Sequence, residues 1–449
     1  MRPYQSLNPY TRELIQSYEF TSADHLEDTL NSTLQVSHQY DIKQRLDWIR
    51  SIGRVLENHI NSLADLAVME MGKPIEQARA EIKKSVSLCQ FYADHATDYL
   101  AEERYSEEDH EVILSHEPLG TVLGITPWNF PIWQIIRIAI PAIAAGNSVL
   151  IKPAENTPGV SLKVAELFNS VLPSGIFDVI LVSHSTIEAL ISDQRIHGVS
   201  LTGSEKAGSA VAAKAGEKVK PSVLELGGNN AFIVMEDAPV EKTVSDFIRS
   251  RFGNNGQSCI AAKRLMVQQG KYDEFKTALI RELKSLKTGD PRDSQTNLGP
   301  LARTDLTDHL GDQVKRAIQV GARDVIPWKR DHNLVSPCLL EYEASNTVLQ
   351  NEELFGPVIS MLKFKEPEDA FTYSNASPFG LGVSLYTGDV QRMLPHLSLL
   401  QEGAVAINRP VQSDPKYPFG GVKKSGYGRE MGKEGLLSFT NRKFITVAN

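Results

Sequence analysis

Leu119-Gly120-Thr121-Val122-Leu123-Gly124-Ile125 reads as a buried strand leading into a loop at Asn129, and the segments downstream of it decide the fold class. An apolar run from Trp133 to Ala145 has the length of a helix. Ser148-Val149-Leu150-Ile151-Lys152 is a second strand, and Asn156-Thr157-Pro158 opens a helix from Gly159 toward Val171. The alternation repeats through Gly175 to Leu181, a helix near Thr186 to Ile191, Ile196 to Leu201 and a helix starting near Ser204. Strands and helices in strict alternation require a mainly parallel sheet with helical crossovers, so a nucleotide-binding α/β domain is expected here.

Upstream, Ser22 to Leu100 carries helical patterns, with Leu46, Ile49, Ile52, Val55 and Leu56 at helical spacing. Beyond Gly228 the α/β pattern restarts: Ala231 to Met235 and Arg264 to Val267 read as strands, and Val240 to Asn254, Tyr272 to Leu286 and Asp308 to Val320 as helices. Glu111 to Ser115 and the tail Lys443 to Val447 read as an exposed two-stranded arm whose edge needs a partner, which implies a homodimer or a dimer of dimers. The expected partition is a cofactor domain (1–110 and 119–228), a catalytic domain (229–415) and an arm (111–118 and 432–449), with 416–431 returning to the cofactor domain. A chain of 449 residues is too long for one ordinary core, so a cleft between domains is expected.

Hydrophobic residues at 41% and charged residues at 23% describe a globular chain. The net charge of -8 gives no support for nucleic-acid binding. The three cysteines, Cys89, Cys259 and Cys338, have spacings unlike a zinc site or a disulfide framework, so no metal is expected and a reducing compartment fits. Met1 to Gln5 lacks the apolar run of a secretory signal and no stretch reaches the ~20 apolar residues of a membrane span, which makes the cytoplasm the expected location.

Gly256-Gln257-Ser258-Cys259-Ile260 sets Cys259 among small and polar neighbours, suited to a thiol that substrate must reach. Together with Thr126-Pro127-Trp128-Asn129-Phe130-Pro131, Lys152-Pro153-Ala154-Glu155, Thr202-Gly203-Ser204, Glu225-Leu226-Gly227-Gly228, Glu352-Glu353-Leu354-Phe355-Gly356-Pro357 and the Pro418 to Glu430 run, it forms seven ordered motifs. In these the chain resembles the aldehyde dehydrogenase superfamily along essentially its whole length. The resemblance implies an α/β fold with a Rossmann-like cofactor domain, an α/β catalytic domain and a small β oligomerisation arm.

The resemblance also implies roles. Cys259 is the nucleophile, the Asn129 amide and the Cys259 backbone N–H stabilise the oxyanion, and Glu225 is the base that activates water. The chain has no Gly-x-Gly-x-x-Gly fingerprint. The resemblance instead puts Gly203 and Ser204 at a pyrophosphate, Lys152 and Glu155 at the adenosine ribose, and Glu353 and Phe355 at the nicotinamide ribose and ring, with Ile125, Thr126 and Trp128 along the cofactor. A carboxylate at Glu155 accepts hydrogen bonds from ribose hydroxyls and repels a 2'-phosphate, so NAD is the expected cofactor, with NADP admitted second. Leu181-Val182-Ser183-His184-Ser185 lacks a glycine that many relatives carry, and His184 is read as a surface or capping residue.

Within the superfamily the chain is most similar to the short bacterial succinate-semialdehyde dehydrogenases. That likeness implies a small semialdehyde as substrate, with Arg137, Ser258 and Ser413 seating its distal carboxylate and Trp133 as a wall. Alternatives are a broad-specificity aldehyde dehydrogenase and a catalytically silent nucleotide-binding structural protein. A coenzyme-A-acylating route is disfavoured by Glu225, which supplies a hydrolytic base. If Asn129 is an oxyanion donor, Asn129→Ala is expected to lower kcat about a hundredfold, roughly 3 kcal/mol, with folding unchanged by circular dichroism. An unaltered kcat would leave Asn129 a turn residue.

Overall fold

The computed structural model describes residues 4–36 and 39–448; Met1 to Pro3 and Asn449, which the N-terminal and domain-end expectations include, lie outside them. The first sheet has six strands in the order Gly426–Tyr427, Ser222–Glu225, Ile196–Thr202, Thr121–Ile125, Ser148–Lys152 and Phe177–Val179. The five strands of the alternating region are parallel. Successive side chains on a strand point to opposite faces, and the cores divide accordingly. Val122, Val149 and Ile151 enter a core shared with the helices Ile42–Asn58, Ile75–Tyr99, Trp133–Ala145 and Pro158–Asn169. Leu123 and Leu150 enter another, with His184–Ser192 and Glu205–Glu217. A sheet covered on both faces explains why these strands read as continuous apolar runs.

The second sheet has seven strands in the order Arg323–Ile326, Cys338–Tyr342, Val358–Phe364, Ala262–Gln268, Asn230–Val234, Gly382–Tyr386 and Ala404–Ile407. It is parallel except for its first strand. Ile233, Met266 and Leu385 face one core, and Phe232, Val234, Leu265 and Val267 the other. Cys89 and Cys338 are buried packing residues.

Two departures from the sequence pattern concern edges. The arm has three strands, not two: Glu103–Ser106 pairs with His110–Pro118, which pairs in turn with Thr440–Ala448. Glu-Arg-Tyr-Ser, polar and largely exposed, carries no apolar alternation to announce it. Residues 432–437, assigned to the arm by the sequence, form the helix Gly432–Leu437, and Leu436 is buried in the core of the first unit. An antiparallel pair, Tyr4–Leu7 with Leu14–Tyr18, adds two short strands that the sequence pattern does not announce either. Among the described residues no helix is long and apolar enough to cross a membrane.

One cation knits the second unit together beneath the candidate site. The fully buried Arg251 donates from Nε to the Val358 carbonyl at 2.8 Å and from Nη2 to Leu354 at 2.9 Å. It also reaches the carbonyls of Gly256 and Gly356. Replacing it orphans those carbonyls and leaves a cavity. Arg251→Leu is therefore expected to cost about 3 kcal/mol, read as a lowered urea midpoint by circular dichroism. An unchanged midpoint would contradict this role.

Candidate active site

The helix Val240–Phe252 ends in the turn Gly253–Gly256, where Asn254 and Asn255 adopt the left-handed conformation at φ 57° and 58°. Asparagine tolerates that region better than most residues. Gly256 follows at φ +74°, with its Cα so close to the Gly356 backbone that a Cβ would lie 2.6 Å from it. The turn delivers Gln257, Ser258 and Cys259 beside the Asn129 loop. Asn129 Nδ2 donates to the Gln257 carbonyl at 3.0 Å, and Asn254 Nδ2 donates to the Asn129 and Gln257 carbonyls at 2.8 and 3.0 Å.

From behind, the buried Lys263 ammonium donates to the carbonyls of Ser258 and Cys259, each at 2.8 Å, and pairs with Glu353 at 2.8 Å. Cys259 itself is partly exposed. Burial pushes its thiol up to about 11, against the pull of the positive Arg137 and Lys263. At neutral pH the sulfur is therefore a thiol, and attack from it needs a proton acceptor.

Glu225 ends the strand Ser222–Glu225, fully buried, and neither carboxylate oxygen has a hydrogen-bond partner among the described residues. Burial holds its carboxyl well above the usual range, and the negative Glu430 raises it further, opposed by Arg137 and Arg429. Glu430 is buried as well, forms an ion pair with Arg137, and accepts a hydrogen bond from Ser200 at 3.3 Å. Glu430 thus holds the Arg137 guanidinium, whose charge reaches Glu225 only through space.

A cavity of about 570 Å³ opens on Cys259. Trp133, Arg137, Ser258 and Ser413, the residues chosen from sequence for the substrate, all line it. Arg137 is already engaged there, by Glu430 and by Thr202 Oγ1 at 3.1 Å, and lies over the Phe419 ring. Asn129 and Glu225 flank the cavity without lining it.

The cofactor candidates do not share one cavity. Ser204 caps the helix Glu205–Glu217 and lines an open groove of about 730 Å³ along it. The Gly203 N–H, expected to face a pyrophosphate, instead donates to the Glu225 carbonyl at 2.9 Å, so only Ser204 of that pair fronts the groove. Lys152 is buried, its ammonium 5.6 Å from the Tyr4 ring centroid. Glu155 is exposed, with a carboxylate oxygen 3.2 Å from His184 Nδ1, a contact no motif announces. His184 opens its helix behind the capping Ser183. Ile125 ends its strand, and the Thr126 N–H donates to the Lys152 carbonyl at 3.0 Å. Trp128 packs edge-on against Phe355, and Glu353 accepts from the Gly228 N–H at 3.2 Å. Glu353, Phe355 and Trp128 therefore gather near the Cys259 loop, through Lys263.

A doubly covered parallel sheet joined to a second α/β unit, with a partly exposed thiol and an unpartnered buried carboxylate, defines an α/β enzyme scaffold. The profile of the aldehyde dehydrogenase family matches residues 2–445, and the chain belongs to that family, whose oxidoreductase activity on aldehydes it shares. It is 38% identical over 450 residues to a probable NADP(+) succinate-semialdehyde dehydrogenase of Synechocystis sp., covering 99% of each chain. Identity is 38% over 443 residues to the NAD(P)+ succinate semialdehyde dehydrogenase Sad of Escherichia coli, covering 97% of this chain and 96% of that one. Among solved structures, succinic semialdehyde dehydrogenase from Streptococcus pyogenes with NADP+ superposes with a TM-score of 0.96 at 30% identity, covering 99% of this chain and 100% of that one.

Sequence patterns alone do not single out Glu430, Lys263 or Lys84. Glu430 stands in the glycine-rich Pro418 to Glu430 run, which reads only as a returning loop, and its charge acts on Glu225 across the fold. Removing that charge frees the Arg137 guanidinium, and both changes favour the ionised Glu225. Since a carboxylate serves as base only above its own pKa, Glu430→Gln is expected to move the acid limb of the kcat–pH profile for aldehyde oxidation to lower pH. An acid limb that stays put or moves up would show that Glu430 does not act on the base.

Proposed function

We propose that the chain oxidises succinate semialdehyde, or a closely similar small semialdehyde, to the carboxylic acid with reduction of NAD, and that Cys259 carries the acyl group. The observation that supports this most is the unpartnered, fully buried Glu225 beside a partly exposed cysteine. A buried carboxylate with no hydrogen bond is costly to the fold, and such groups persist where chemistry uses them.

In this reading the Cys259 sulfur, relieved of its proton, bonds to the aldehyde carbon. The carbonyl oxygen becomes an oxyanion beside the Asn129 amide and the Cys259 N–H. A bound nicotinamide would accept the hydride as the C–H bond of that carbon breaks and the carbonyl re-forms, which leaves a thioester on Cys259. Glu225 then draws a proton from water, whose oxygen attacks the thioester carbon. The C–S bond breaks, the acid leaves and the sulfur is restored.

The residues present fit a dinucleotide. A groove runs along a helix whose N-terminus follows a parallel strand, an arrangement that favours phosphate, and an exposed carboxylate stands at a neighbouring strand exit. Ser204 would front the phosphates, Lys152 and Glu155 the adenosine ribose, and Glu353 and Phe355 the nicotinamide ribose, with Ile125, Thr126 and Trp128 beside them. The Glu155 carboxylate disfavours a 2'-phosphate, so NAD is preferred and NADP is second; the Synechocystis and Streptococcus relatives carry NADP in their names. The carboxylated substrate is supported by Arg137, Ser258, Ser413 and Trp133 around one cavity. The three-stranded arm, whose last strand exposes 71% of Phe444, supports a homodimer or dimer of dimers.

The test is reduced-nucleotide absorbance with succinate semialdehyde, butanal and longer aldehydes, with NAD or NADP and with or without coenzyme A. Succinate semialdehyde is expected to give the highest kcat/KM, NAD to exceed NADP, and free acid to form without coenzyme A. Equal efficiency with butanal would sink the substrate assignment, and higher efficiency with NADP the nucleotide preference.

A further inference from the structure

A second cation enters the Cys259 cavity from a helix that the seven motifs do not touch. Lys84 lies on Ile75–Tyr99 and lines the same cavity as Arg137 and Cys259, whereas its neighbour Lys83 is exposed to solvent. Its ammonium sits 4.3 Å from the Trp133 ring centroid and donates to Ser413 Oγ. Among the described residues no carboxylate lies within ion-pair distance of it. Half-buried Lys84 thus differs from the fully buried cations around Cys259, which are compensated: Arg137 by Glu430, and Lys263 by Glu353. Lys84 has three N–H donors and one hydroxyl to receive them, so it carries an uncompensated charge and spare donors into the cavity. A charge removed from water in this way is costly unless an anion completes its surroundings.

We propose that Lys84 is a substrate-binding residue whose ammonium receives the terminal carboxylate of the aldehyde, making it, alongside Arg137, a determinant of preference for carboxylated substrates. The proposal rests on the reading of Cys259 as the nucleophile of an aldehyde oxidation. The geometry suits it, because the Trp133 face steadies the ammonium by a cation–π contact while Ser413 orients it. Arg137, held by Glu430 and Thr202, has less of its fork free for a ligand.

The charge state carries a second signature. Burial pushes Lys84 down to about 8, aided by the facing Arg137 on the helix Trp133–Ala145 and opposed by Cys259, by Asp414 in the loop beside Ser413, and by Glu81 one turn earlier on its own helix. Above that pH the amine loses its charge and with it the carboxylate. The KM for succinate semialdehyde should therefore rise there relative to the KM for butanal, which offers no carboxylate.

The experiment measures KM and kcat of the full-length enzyme, and of Lys84→Met and Lys84→Gln, with succinate semialdehyde and butanal from pH 7 to about 9.5. The ratio of the two KM values is expected to increase about thirtyfold at pH 7 in both variants, and its rise above pH 8 to disappear. Equal losses with both aldehydes, or an unchanged ratio, would overturn the assignment. Should both variants fail to fold, a wild-type ratio flat across the range overturns it alone. A wild type indifferent to the carboxylate overturns the semialdehyde reading together with the role of Lys84. A selective wild type whose selectivity survives in Lys84→Met overturns only the latter.

Discussion

A lysine ammonium shut away from water, Lys263, ties the loop bearing Cys259 to the loop bearing Glu353, and the geometry of the site depends on that tie. Its donors meet the Ser258 and Cys259 carbonyls while its charge meets Glu353, so three groups from two loops converge on one centre. Breaking any part of such an arrangement leaves a buried charge or acceptor unpaired, which fixes the loops far more firmly than their own sequences would. Arg251 does the same a few residues away for the carbonyls of Leu354 and Val358. The second unit thus holds its reactive loop from below with cations.

The first unit holds its reactive group differently. Glu225 is placed by a strand and has no hydrogen-bond partner among the described residues; burial acts on it most, then the charges of Glu430, Arg137 and Arg429. One side of the cleft holds the Cys259 loop by hydrogen bonds to buried cations, whereas the other leaves the Glu225 carboxylate without a hydrogen-bond partner among the described residues. That asymmetry is what a site needs when one partner must be positioned and the other must exchange a proton.

The sequence discloses the region 119–228 well, because strands buried on both faces, such as Val122-Leu123 and Val149-Leu150, leave unbroken apolar runs between helices with clear caps. It marks Cys259, Glu225 and Asn129 as candidates through local motifs. It hides Glu103–Ser106, whose residues are polar and whose partner strand offers no matching pattern. Lys84 is hidden as well: Lys83-Lys84 reads as a solvated pair, and only the approach of Ser413, 329 residues later, separates the half-buried lysine from the exposed one. The Glu155–His184 contact joins two strand exits in the same way. Such pairings are products of tertiary structure and leave no periodicity to read.

The short strand Gly426–Tyr427 closes the first sheet by pairing with Ser222–Glu225, and Tyr92 and Asn147 hydrogen-bond to the carbonyls of Gly432 and Phe439. The unit begun by the helices before residue 100 is therefore finished by residues 426–439. On the ribosome, the parallel strands of that unit must wait with one margin bare while the entire second unit is synthesised. Maturation of the first unit is thus bound to synthesis of residues 426–439, and any nascent chain stopped before them carries an open, adhesive border.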